Sequence, residues 1–200
     1  MKIKRMLDRL GRTGYEVELS DYDSLPPSRY LLAYDLPSTI DADREAIALY
    51  LVFGPWCGGE FFVPKEISPH TSATITRDSL TVPFQPQPIA FAPKALPSGK
   101  NVVHISLDPR GGGKHNSITI LPNHTWLGCL RSPHSLTLSS NAFVFQQEDN
   151  DFVPLLGVCV LYAEFLDVDS LVLPPVFDTD QFSRLSSLLS SVNLGLALED

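Results

Sequence analysis

Leu156-Gly157-Val158-Cys159-Val160-Leu161-Tyr162-Ala163-Glu164-Phe165-Leu166 is the longest run of this sequence that reads as a β-strand. Its valines and aromatic residues suit a pleated surface. It follows a series of shorter runs of the same character: Glu60–Val63, Ser72–Thr76, Leu80–Phe84, Asn101–Leu107, Ser117–Leu121, Thr125–Leu130, Ser135–Leu138 and Ala142–Gln146. Pro, Gly, Asn and Asp clusters bound them. Short strands recurring about every ten residues predict an antiparallel β-sandwich.

Outward from that series, Tyr15–Leu19 alternates apolar and charged residues, and Tyr30–Leu36 reads as a further strand. Thr39–Phe53 stays open between two readings. Thr39 or Asp41 is a fair helix cap and Gly54-Pro55 a fair stop, whereas Ile47–Phe53 is a continuous apolar run that suits a buried strand. Val82–Pro97 carries five prolines, which excludes a central strand. Asp108–Gly113 reads as a flexible hairpin tip. Ile3, Met6, Leu7 and Leu10 recur at helical spacing and predict a short N-terminal helix closed by Gly11 and Gly14. At the other end, Phe182, Leu185, Leu188, Leu189 and Val192 share one face of a final helix that Asp178 or Asp180 caps and Asn193-Leu194-Gly195 ends. The expected organisation is a basic arm over 1–14, a sandwich over 15–176, and a helix and tail over 177–200. No internal repeat is visible.

The composition is that of a globular chain, 44% hydrophobic and 19% charged. The formal charge is −8, yet residues 1–12 hold Lys2, Lys4, Arg5, Arg9 and Arg12 against Asp8 alone. The remaining body is therefore more acidic than the total. Phosphate contacts need cationic surface, so nucleic acid is expected only at the arm, if anywhere. Cys57, Cys129 and Cys159 form no CxxC pair, and an odd count predicts reduced thiols and intracellular folding. No basic segment is followed by the apolar run of a signal peptide, and no apolar stretch is long enough to span a membrane.

Chemistry-bearing motifs are absent. Gly111-Gly112-Gly113-Lys114 lacks the earlier glycine and the following Ser or Thr of a phosphate loop. His70, His104, His115, His124 and His134 show no metal-ligand spacing. There is no Gly-x-Ser-x-Gly elbow, and Cys129 sits in an apolar run as an inert thiol does. No catalytic residue, cofactor or metal is expected. Lys2, Lys4, Arg5, Arg9 and Arg12 are candidate contacts to a partner or nucleic acid, and Phe182, Leu185, Leu189 and Val192 are candidate partner contacts.

Gly157–Phe165, in which a glycine opens a run containing a tyrosine and alternating aliphatics, resembles the late strand of the jelly-roll capsid domains of small icosahedral viruses. That resemblance implies a jelly-roll-like sandwich, a structural role in a virion, and contacts with other copies or neighbouring structural proteins. The acidic body departs from the long basic arm of such proteins and fits a decorating subunit better. The alternative is a sandwich that binds carbohydrate or protein, with Trp56, Trp126, Tyr162 and Gly111–Gly113 at its rim. An enzyme with a non-local active site is the third reading.

Overall fold

The computed structural model describes residues 1–7, 13–79, 84–92, 94–108, 116–133, 135–147, 151–174 and 179–199. The first half runs β1 (Lys2–Leu7), β2 (Thr13–Glu18), β3 (Tyr30–Ala33), α1 (Ala42–Phe53), β4 (Glu60–Ile67), α2 (Pro69–Asp78) and β5 (Gln85–Ile89). The second runs β6 (Asn101–Ser106), β7 (Ser117–Pro122), β8 (Cys129–Arg131), β9 (Ser135–Ser140), α3 (Val153–Leu161), β10 (Val168–Leu173), α4 (Thr179–Ser190) and β11 (Gly195–Leu198).

The expected antiparallel, jelly-roll-like sandwich is wrong. Among the described residues eleven strands join one mixed sheet in the order β11-β10-β6-β7-β9-β3-β2-β1-β4-β5, with β8 paired to β9 off that path. Most of its ladders are parallel, and two of the four helices sit in the core.

The decisive misreading is Leu156–Leu166. Its first half belongs to α3, whose residues from Pro154 to Leu161 are all buried. A helix enclosed on every side has no polar face, so its period leaves no trace in the sequence. The same enclosure hid α1, in which every residue from Asp43 to Phe53 is buried. There the helical reading holds, with Asp41 as the cap accepting from the N–H groups of Asp43 and Arg44.

Other readings divide. Ser72–Thr76 lies in α2, started by the Ser68 hydroxyl and Pro69. Ala142–Gln146 is a 3-10 turn over Ala142–Phe145 rather than a strand. The N-terminal helix is β1: Lys2-Ile3-Lys4 alternates, with Ile3 buried and both lysines outward, and the strand pairs antiparallel with β2. Helical spacing and period-two alternation coexist there, and ladder pairing decides. The final helix is present as α4, and Asn193 ends it at φ 56. Leu80–Val82, Arg9, Leu10, Arg12, Gly111–Gly113 and Asp178 lie outside the described residues.

The element order repeats. Each half presents three sheet strands, a buried helix, a strand, an outer helix and an edge strand, with β8 added in the second. A two-fold axis between β3 and β9 exchanges β3 with β9, β1 with β6, β4 with β10 and β5 with β11, in position and direction. Only β7 breaks it, running parallel to β6 where β2 runs antiparallel to β1. Within the sheet the halves meet at one described ladder pair, Ala33 with Ser140, and α1 packs against α3. The helices approach closely: a Cβ at Gly157 would stand 2.8 Å from the Ala48 carbonyl oxygen. The outer helices α2 and α4 precede opposite edges of the sheet yet touch through Asp78 and Arg184. The sheet therefore curls around α1 and α3, and its convex face meets solvent.

Candidate functional site

The two edges of the sheet are related by the pseudo-two-fold but chemically unlike. In a parallel ladder alternate residues bond to the neighbouring strand and the others direct their N–H and C=O groups away. In β5 the Gln85 N–H donates to the Gly59 carbonyl at 3.0 Å, so Gln85 and Gln87 face β4 and positions 86 and 88 face out. Both outward positions are proline. Proline has no N–H to offer, and this edge is closed to further pairing.

In β11 the Glu199 N–H donates to the Leu173 carbonyl at 2.8 Å. The register Ser170 with Gly195 through Leu173 with Leu198 then leaves Leu196 and Leu198 outward. Their backbone groups form an open edge carrying neither proline nor charge. Leu198 is 40% exposed and Leu196 half-buried, both on the face that carries α4. One more strand there would cover both side chains.

The turn that delivers β11 is gripped from the core. The Arg44 guanidinium, 1% exposed, donates to the carbonyls of Val192 (3.2 Å), Asn193 (3.0 Å) and Pro97 (2.9 Å). Burial pulls its pKa down, and the carboxylates of Glu164 and Asp41 partly oppose that. Asn193 adds a side-chain bond to the Pro97 carbonyl at 3.1 Å. Val192 and Asn193 follow the end of α4 and Pro97 precedes β6, so one buried arginine ties the turn after the helix to a separate loop.

The sequence-derived contact residues are placed differently. Leu185, Leu189 and Val192 are fully buried against the chain's own core, so that apolar face is not available to a partner. Phe182 is half-buried beside the same core. Among the basic residues, Lys4 pairs with Glu18, and Arg5 donates to the carbonyls of Pro37 and Ser38. Lys2 lies on the convex face, and Arg9 and Arg12 are outside the described residues. Trp56 packs on Phe145, and buried Tyr162 donates to the Tyr34 carbonyl at 2.6 Å, so neither forms a rim with Trp126. Among the described residues no group of three His, Cys, Asp or Glu side chains is arranged to hold a metal ion, and no helix is long and apolar enough to cross a membrane. Burial raises the pKa of all three thiols.

The outward leucines of β11 were missed because Gly195–Leu198 was read as the end of a helix tail. The signal present was Gly-Leu-Ala-Leu itself, an uncharged apolar run after a helix stop. No family model matches this chain, and no curated protein or solved structure matches it either.

Proposed function

We propose that the chain is a self-associating structural subunit that extends its sheet through β11. The observation that carries the reading is the contrast at the edges: Leu196 and Leu198 stand open where Pro86 and Pro88 close the equivalent positions. A two-fold axis through Ala197 sets Leu196 opposite Leu198 of a second copy. Both residues have outward N–H and C=O groups, so the antiparallel pairing satisfies all of them with four hydrogen bonds. Pairing of β11 with β5 of a further copy is blocked by the prolines, and the assembly closes at two. The virion setting is not part of this proposal, because Gly157–Phe165, which carries the resemblance, is helix through Leu161 and turn after it rather than a strand.

The contact is small, so the dimer is weak and needs protein near about 0.5 mM to fill. Light scattering on a sizing column is expected to give twice 22.1 kDa at that concentration. Leu198→Pro removes an N–H that the β10 ladder does not use, and Leu198→Lys charges the edge. Both are expected to return the monomer without changing the unfolding temperature. A wild-type chain that stays monomeric, or a dimer indifferent to both substitutions, overturns the reading.

A further inference from the structure

On the convex face, at the N-terminal ends of β1, β4 and β5, lies a groove of 630 Å³ that the assembly reading does not use. Its volume is that of a small-ligand site. The segment 19–22 folds over one side, Gly58 and Gly59 form another, and Lys2, Phe62 and Gln85 make the floor.

The walls are pinned by one carboxylate. The Asp23 side chain is fully enclosed; its Oδ2 accepts from the Met1 ammonium at 2.8 Å and from the Ser20 N–H at 2.7 Å, and its Oδ1 accepts from the Gly58 N–H at 2.9 Å. Met1, Ser20 and Gly58 all line the groove, so a single buried group fixes three of its segments. Gly58 also presses on the opposite wall, where an added Cβ would lie 1.9 Å from the Tyr22 carbonyl oxygen. That close packing sets the position of Tyr22, whose ring is 84% exposed at the mouth.

Glu18, Asp21 and Glu60 line the groove against Lys2. Glu18 is engaged by Lys4, with Lys2 beside it in the ladder. Among the described residues no cation pairs with Asp21 or Glu60. Asp21 and Glu60 line the same groove as Tyr22 and Phe62, a combination that suits positive charge on an apolar stem, since aromatic faces attract cations and cover alkyl chains. The chain's own charge of −8 favours the approach of such a ligand.

We propose that this groove binds an organic cation, an ammonium or guanidinium on an alkyl stem, with its charge between Asp21 and Glu60 and its stem on Tyr22 and Phe62. The ligand is a free polyamine or a basic side chain presented by a peptide. Two probes separate these sources: spermidine, and a capped Gly-Arg-Gly tripeptide. Amide shifts of the full chain, followed by NMR, are expected to move at Ser20, Tyr22, Gly58, Gly59 and Gln85 and to saturate with a Kd at or below about 1 mM. Tyr22→Ala is expected to weaken binding about fivefold. Asp21→Asn with Glu60→Gln is expected to abolish it, and Lys2→Ala to strengthen it. All four side chains are at the surface, and unchanged unfolding temperatures will show that the variants fold. Succinate serves as the anionic control. Failure of both probes to saturate, an equal response to succinate, or binding that survives loss of both carboxylates overturns the proposal.

Discussion

Arg184 on α4 forks onto both carboxylate oxygens of Asp78 at the end of α2, with Nε at 2.8 and 3.0 Å and a terminal nitrogen at 2.7 Å. Tyr50 of α1 donates its hydroxyl to the same carboxylate at 2.7 Å. One acid thus joins a core helix to the outer helices of both halves. The Arg184 side chain is 45% exposed, so solvent screens the pair. Arg184→Ala is expected to cost about 1 kcal/mol. Tyr50→Phe is expected to cost a similar amount, and the double variant less than the two together, because both act through Asp78. Urea midpoints of the four proteins test this.

Arg44 is a different case, because it is enclosed. Arg44→Leu fills similar space but leaves the carbonyls of Val192 and Asn193 without the donor that serves them and that of Pro97 with the Asn193 side chain alone. The expected loss is roughly 3 kcal/mol, with Arg44→Lys recovering only part of it, since an ammonium cannot reproduce the planar fork. Hydrogen exchange should report the damage locally, with β11 amides losing protection first.

Gly157→Ala separates two opposing effects. Alanine favours a helix over glycine by about 1 kcal/mol. The new methyl, however, would sit 2.8 Å from the Ala48 carbonyl oxygen and 2.9 Å from a Val52 methyl. Backbone cannot yield as a side-chain tip can, so overpacking prevails and a net loss of about 1–2 kcal/mol is expected in calorimetry.

The Asp23 carboxyl gives an acid-sensitive contribution. Burial disfavours its charge, but the Met1 ammonium and the N–H groups of Ser20 and Gly58, with the Ser20 hydroxyl, outweigh that and hold its pKa below the usual value. A depressed folded-state pKa means stability that is complete above the unfolded value of about 3.9 and is lost as pH falls through the folded one. Asp23→Asn is expected to lower stability at neutral pH by roughly 3 kcal/mol and to flatten the acid limb of the stability curve. Denaturant midpoints between pH 2 and 7 would expose a wrong sign.

The thiols make a simple accessibility test. Cys57 and Cys159 are buried and Cys129 is partly exposed. Desolvation raises the pKa of each, so none is activated. A thiol reagent at pH 8 is expected to modify Cys129 slowly in the native protein and all three in denaturant. Rapid native reaction at Cys57 would contradict the packing around it.

Legibility from sequence followed exposure. β2, β4, β6, β7 and β9 were readable because each has a wet face or clear turn punctuation, and α4 because its serines oppose its leucines. α3 was not, since Pro154–Leu161 offers no polar face to set a period, and that single misreading turned an α/β sheet into a sandwich. Leu-Tyr-x-x-Phe recurs at 49–53 and 161–165, but the first lies inside α1 and the second starts at the last residue of α3, so it does not mark the structural repeat. Of the sites, the prolines at 86 and 88 exclude a central strand from sequence alone, while their place on an edge and its open counterpart were not legible, because strand direction and pairing are tertiary facts. The groove was invisible for the same reason: its carboxylates come from two segments far apart in the sequence, 18–21 and Glu60.

The burial of α1 against α3 also has a consequence for how the chain is made. About a hundred residues separate the end of α1 from the end of α3, and at ribosomal speed that gap lasts roughly 5–20 s. Through that interval Ile47–Phe53 has been synthesised without the helix that covers it. The nascent chain therefore exposes that apolar run to aggregation until α3 has been made, and a holding chaperone or the pace of elongation between the two helices would govern its yield.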